Sequence, residues 1–379
     1  MAEFDVFIAG AGPAGCATAI SLGQFAPELR VAIADARPRE FLRIGEAVPP
    51  PIKPILEHLG VWQRFVADGH CASHRTLSAW GDARLGSNEF LLQPHQIGWR
   101  IDRARFDAMM LARATQGVRL YVPARVTGAT RIEHVADGAW CVGCGDGTVH
   151  AARVIVDATG RTAELARLRG VRPSRIDNLV GCFMHFAGAS GNDQELMLES
   201  FADGWWYAAA IPGERRVVAC MSDVDVVRRL GIARLDNFMR ALRTTNHVGR
   251  VASSLQPLGR PRLRPAGSQI LMTEAPRSLI CVGDAASCFD PISGQGIVKA
   301  LRAGIFASYA VADWLMRSDD SGIRRYRALV QGEFAAYQDT LRDFYATEQR
   351  WSGRPFWRRR AGESEAASPL RPAVSSAVS

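Results

Sequence analysis

The stretch FDVFIAGAGPAGCATAISL constrains this chain more than any other. It sets Gly10-x-Gly12-x-x-Gly15 directly after an apolar run and directly before an alanine-rich one. In a strand–turn–helix, the first glycine permits the tight turn and the second lets a pyrophosphate approach the backbone. The third lets helix and strand pack closely, while free N–H groups at the helix start face the anion. Pro13 and Ala14 sit inside that turn and share the cofactor-binding assignment. A second apolar run, LRVAIAD, ends at Asp35, 20 residues beyond Gly15, where a carboxylate accepts hydrogen bonds from a ribose diol. Strand, glycines, helix, strand and acid in register predict a dinucleotide-binding unit and hence an α/β fold. Residues 6–27 carry no charge, but an acidic flank and regularly placed glycines argue against a membrane span or signal peptide.

Bulk properties narrow the class. With 379 residues, 47% hydrophobic and 22% charged, the chain is expected to be a soluble protein of one large or two interleaved domains. The net charge of +8 is scattered, the one dense run being Trp357-Arg358-Arg359-Arg360. A nucleic-acid binder concentrates its basic residues on one face or in a motif, so no nucleic-acid partner is expected. Eight cysteines give no dense disulfide framework and point to a reducing cytoplasm. Cys141 and Cys144 form a CxxC with no second ligand pair, in an alternating stretch where i and i+3 face opposite ways, so no metal site is expected.

A second turn decides between nicotinamide and flavin. PRSLICVGDAASCFDPISGQGIVKALRAG is again a buried strand, a Gly-Asp and a helix whose start is rich in Gly, Ser and Pro. Two nucleotide-facing turns so far apart suit a long cofactor. With both motifs in view, the chain resembles the FAD-dependent aromatic hydroxylase and flavin-dependent halogenase superfamily. The resemblance implies a Rossmann-like FAD-binding domain of the p-hydroxybenzoate hydroxylase type, with an inserted antiparallel β-sheet substrate domain. It implies that Asp284 holds the ribityl chain and that Pro291, Gly294, Gly296 and Ile297 lie at the isoalloxazine ring. The following helix would aim its positive end at the N1–C2=O edge of the ring. Arg43 and Glu46 fall where the chain passes the flavin, Glu46 as a catalytic carboxylate. Val126 is a further cofactor-side position. IDRARFDAMMLARA reads as a helix whose Arg103 reaches the FAD phosphates or ribose, although Arg103 and Arg105 could each be solvated. Ala158-Thr159-Gly160 stands where single-component hydroxylases carry Ala-Asp-Gly, tied to NADPH use. Electrons are therefore expected from NAD(P)H directly or through a separate flavin reductase, with O2 as co-substrate.

The expected division is 1–75, 100–178 and 268–330 for FAD and 76–99 with 179–267 for substrate, then a helix over 331–350 and a disordered tail over 351–379. In GWWYAAAIP, Trp205 and Trp206 are consecutive on one strand, so only one can face the cavity. His70 and His74 are the candidate bases. GWWYAAAIP resembles a halogenase signature with altered spacing, but no lysine lies between Lys53 and Lys299 to capture hypohalous acid, and an arginine cannot replace it. RIGEAVPPPIKPILEHLGVW, SAWG, GWRIDRARFDAM and the two motifs above resemble the halogenase-like flavoproteins that help build cysteine tryptophylquinone in amine dehydrogenases and amino-acid oxidases. That resemblance implies an FAD-dependent monooxygenase hydroxylating an electron-rich aromatic ring, a tryptophan of a partner polypeptide. A small-molecule hydroxylase, an isoprenoid reductase and a flavin-bound maturation chaperone are the alternatives.

Overall fold

The computed structural model describes residues 3–36, 47–132, 139–188, 195–271 and 276–362. Its first sheet runs in the order Leu120–Val122, Val31–Ala34, Phe4–Ala9, Val149–Asp157, Ala139–Cys144, Val126–Ile132. Phe4–Ala9 is parallel to both neighbours, and Leu279–Cys281 joins Val149–Asp157 in parallel through Ile155↔Leu279. Phe4–Ala9 and Val31–Ala34 are buried at every position, as expected of strands covered on both faces. This register sets the ends of Phe4–Ala9 and Leu279–Cys281 on either side of one strand end. Motifs more than 250 residues apart thereby open onto the same edge of the sheet.

Two helices seal that edge. Pro13–Phe25 starts directly at the first glycine-rich turn, and Gly296–Arg317 starts just after the second. A Cβ at Gly304 would lie 2.4 Å from the Ala14 carbonyl oxygen, so the crossing depends on bare backbone.

A second sheet runs in the order Gln256–Pro265, Leu179–Ala187, Arg215–Asp223, Gly204–Ile211, Leu196–Phe201, Arg75–Ala79, Gly86–Glu89. It is antiparallel except where Leu196–Phe201 meets Arg75–Ala79. Glu214 (φ +53°) and Gly213 (φ +85°) make the tight turn expected at Pro212–Arg215. Alternation gives this sheet two apolar faces. One, with Cys182, Met184, Trp206 and Val218, packs on Phe238, Leu242 and Val248 from the helices after Asp223. The other, with Phe183, Trp205, Ala219 and Met221, packs on Tyr345, Phe356 and Trp357 near the C-terminus.

The C-terminal region differs from expectation. The helix begins at Ser321 and ends at Ala346, longer than the stretch over 331–350. Residues 351–362 are not a polar tail: Pro355–Arg360 is helical, and Phe356 and Trp357 are buried against Tyr345 and Trp80. Their two aromatic rings outweigh the arginines around them, because Arg359 and Arg360 find Asp223 and Asp225 as partners.

Candidate functional site

The first glycine turn is built for a ligand that needs bare backbone. Gly10 holds φ +103°, and a Cβ there would lie 2.3 Å from the Ala158 oxygen. At Gly15 a Cβ would lie 1.9 Å from the Gly10 oxygen. The Pro13–Phe25 helix has no side chain capping its N-terminus, which leaves its first N–H groups to a ligand. The second turn comes up against the first, since a Cβ at Gly283 would lie 2.7 Å from the Ala14 Cβ. Asp284 follows, with Oδ1 3.3 Å from the Lys299 Nζ. Lys299 is buried, also donates to the Ser287 carbonyl and lies 4.8 Å above the Phe289 ring. Its ammonium therefore holds Asp284 from behind. Pro291–Ser293 forms a short turn ended by Gly294 in the left-handed region (φ +62°), and the next helix starts two residues on.

Between these turns and the second sheet lies a cavity of about 360 Å³. Gly12, Pro13, Ala14, Asp284, Gly296 and Ile297 line the cofactor side. Leu196, Leu198, Trp205, Tyr207 and Met221 line the opposite wall. Phe289, Asp290, Pro291, Arg103 and Arg161 complete it. The arrangement offers phosphate and ribityl partners at one side and an apolar, aromatic chamber at the other. The narrow glycine turns, the open helix start and the carboxylate fit FAD.

Asp290 is the titratable group at this wall. It is 1% exposed, and burial raises its carboxyl to about 6 against the pull of the Ile292 N–H, Arg360 and the Tyr345 hydroxyl. Oδ1 accepts from Ile292 N at 2.9 Å and Oδ2 from the Tyr345 hydroxyl at 2.8 Å. Tyr345 in turn accepts the Trp205 indole N–H at 2.9 Å. Arg161 donates to the Gly267 and Ala266 carbonyls at 2.6 and 3.2 Å, fixing the strand end that forms the cavity floor.

Comparison with known proteins agrees with this geometry. The family model described as lycopene cyclase protein matches residues 5–190. The putative FAD-dependent oxidoreductase LodB of Marinomonas mediterranea is 28% identical over 369 residues, 95% of this chain and 97% of LodB. The myxobacterial chondrochloren halogenase CndH superposes with a TM-score of 0.84 at 20% identity, covering 94% of this chain and 85% of CndH. The chain has the flavin-dependent halogenase fold. Within that fold, the peptidyl tryptophan dihydroxylase QhpG, essential for tryptophylquinone cofactor biogenesis, is 26% identical. It covers 95% of this chain and 79% of QhpG, with a TM-score of 0.76. The FAD-dependent oxidoreductase class expected from the two glycine turns stands on these relatives.

The halogenase-like fold places the expected residues unevenly. Gly12, Pro13, Ala14, Arg103, Asp284, Pro291, Gly294, Gly296 and Ile297 line the cavity, and Gly10 and Gly15 shape the turn behind it. Arg103 lines the cavity with its guanidinium 3.3 Å from the Asp107 carboxylate, Asp102 caps their helix by accepting from Ala104 and Arg105 N, and Arg105 turns away to the Asp68 carbonyl. Asp35 directly follows the Val31–Ala34 strand beside the fingerprint, with its N–H on the Val122 carbonyl, and is not part of the cavity lining. The Val126 side chain is buried in the core with Trp140 and Val142 and does not reach the cavity. Trp205 is the indole that faces in. Trp206 points to the other face, against Phe238 at 5.1 Å. His70 and His74 do not reach the cavity. His70 packs on Phe65 at 4.6 Å and accepts from Asp102 N, and His74 is exposed. Arg43 and Glu46 lie outside the described residues. The sequence reading missed Asp290, Tyr345, Tyr207 and Arg161. Asp290 stood in the quoted FDP turn and could have been singled out, whereas nothing local marks Tyr345.

Proposed function

We propose that this protein is an FAD-dependent monooxygenase that hydroxylates an electron-rich aromatic ring, specifically a tryptophan side chain carried by a partner polypeptide. The observation that carries the reading is an aromatic chamber opening directly onto the cofactor turn, with no lysine in its lining. Lys53 is on an outlying helix and Lys299 is engaged with Asp284 and Ser287, so no free amine serves halogen transfer there. The similarity to LodB supports the FAD-dependent oxidoreductase class, and that to the peptidyl tryptophan dihydroxylase supports the choice of substrate.

Bound FAD, once reduced, supplies the activation of O2. The Gly10–Gly15 turn and the helix behind it would take the pyrophosphate, with Arg103 beside it. Asp284, held by Lys299, would accept from the ribityl hydroxyls. The Pro291–Ile297 turn would set the plane of the ring and offer its N–H groups to negative charge. Trp205, Tyr207, Met221 and Phe289 would exclude water and clamp the substrate ring. Electrons would come from NAD(P)H directly or through a flavin reductase, and Thr159 in place of an acid favours the reductase.

The test is mass spectrometry of products. FAD-loaded protein, reduced without oxygen and then mixed with aerated buffer containing chloride and bromide, is offered a synthetic peptide with one tryptophan or free tryptophan. The expected result is a gain of one or two oxygens on the peptide. A halogen adduct would overturn the reaction assigned. Oxygenation of free tryptophan alone would favour the small-molecule hydroxylase, and peptide binding with no mass change would favour the chaperone.

A further inference from the structure

A single hydroxyl joins the substrate wall to the cofactor turn. Tyr345 lies near the end of the Ser321–Ala346 helix, more than 130 residues from Trp205 and more than 50 from Asp290. It accepts the Trp205 N–H at 2.9 Å and donates to Asp290 Oδ2 at 2.8 Å. The other oxygen of Asp290 accepts the Ile292 N–H at 2.9 Å, inside the turn that faces the cofactor side. Asp290 is anchored again through its own N–H on the Tyr337 hydroxyl at 2.6 Å, and Tyr337 stacks on Phe289 with centroids 3.9 Å apart. Trp205, Asp290 and Tyr345 are each at most 3% exposed, so water does not compete for these bonds. The adjacent Trp206 gives a contrast: its indole nitrogen has no hydrogen-bond partner among the described residues.

We propose that Tyr345 is a positioning residue that couples Trp205 in the substrate wall to the Asp290–Ile292 turn under the cofactor, and that the charge on Asp290 is what it transmits. The inference rests on the cavity being the FAD and substrate site proposed above, but it uses only bonds between side chains of this chain. A phenol donating to a carboxylate anion has a more electron-rich oxygen and accepts more strongly from an indole N–H. Protonating Asp290 weakens both bonds together and loosens wall and turn at once. The groups facing Asp290 are consistent with titration near neutrality. Arg360 and the Tyr345 hydroxyl favour the anion, while burial and Asp177 oppose it, and the carboxyl is pushed up to about 6. Arg360 lies 5.1 Å from the Tyr345 ring and is itself tied to Asp223, so its charge is fixed in place.

Nuclear magnetic resonance of protein labelled with 15N at the indole nitrogens tests this without turnover. The Trp205 signal is identified by its loss in Trp205→Phe. It is expected to move upfield as pH falls, with a midpoint near 6. The titration should vanish in Asp290→Asn and in Tyr345→Phe, with the Trp206 and Trp140 signals unmoved. FAD affinity should fall about fivefold in Tyr345→Phe, the worth of one hydrogen bond. Trp205→Phe guards against simple misfolding. Combined with Tyr345→Phe it should cost no more FAD affinity than either change alone, because both break the same link. A Trp205 signal that does not titrate in the wild type, or that still titrates in Tyr345→Phe, overturns the coupling. So would additive losses in the double variant. Failed oxygenation with the titration intact would overturn the reaction and leave the coupling standing.

Discussion

On the proposed reading, Asp284 is the residue on which FAD retention most directly depends. Its carboxylate is 38% exposed toward the cavity and braced by Lys299 from behind. Asp284→Ala removes a charged acceptor worth about 1.5–3 kcal/mol, so FAD should bind about 10- to 100-fold more weakly. The ratio of flavin to protein absorbance after gel filtration reads this out, and an unchanged ratio would refute the role. Two buried groups also give stability a pH signature. Burial, Arg215 and Arg262 hold His185 down to about 4, against an ordinary 6.5. As pH falls from 6.5 to 4 the unfolded chain takes up this proton before the folded one, so stability falls. Asp290, raised to about 6 from 3.8, acts oppositely. The folded chain keeps a proton that the unfolded chain has already lost, so stability falls as pH rises from about 4 to about 6. Each contributes on the order of 3 kcal/mol, and in the wild type they largely offset each other. Urea unfolding should therefore show His185→Gln losing stability with rising pH across this window, and Asp290→Asn gaining it.

Among the elements, the two C-terminal helices do more than close the chain. Tyr345, Phe356 and Trp357 pack beneath the cavity wall, and Glu348 ties the same region to Gly81 N and Ser200 Oγ at 2.8 and 2.6 Å. Arg360 stacks 3.5 Å from the Phe356 ring and grips Asp223, which is 3% exposed, through both oxygens. Arg360→Ala removes the two-oxygen grip on Asp223 and leaves it the Arg359 bond, and should cost about 3 kcal/mol, seen as a lower urea midpoint at unchanged slope. An unchanged midpoint would mean that these helices do not brace the sheet. This region also shows where sequence reading stops. The glycine turns were legible because a few adjacent residues carry the whole constraint. The Trp205–Tyr345–Asp290 link was not, since each member is ordinary in its own segment and only the fold brings them together. Residues 351–362 misled because arginine and serine surround the two buried rings. His70 misled in the opposite way. It lies in a segment that approaches the site, but its ring packs on Phe65 instead.

At the scale of the whole molecule, two sheets face each other across one cavity, and each supplies what the other lacks. The mixed first sheet and its two helices supply backbone N–H groups and a carboxylate, and the second, largely antiparallel sheet supplies aromatic wall. The alternation that separated Trp205 from Trp206 was readable as a choice between two, and the direction was not, because it depends on which face the helices after Asp223 cover. The division into a cofactor side and a substrate side works only if both glycine turns grip one molecule. Titration of purified protein with FAD, followed by flavin fluorescence quenching, tests this most directly. The expected result is saturable binding of one FAD per chain, abolished alike by Gly15→Val in the first turn and Gly283→Val in the second. Absence of binding, or binding that survives either change in a folded protein, would contradict it.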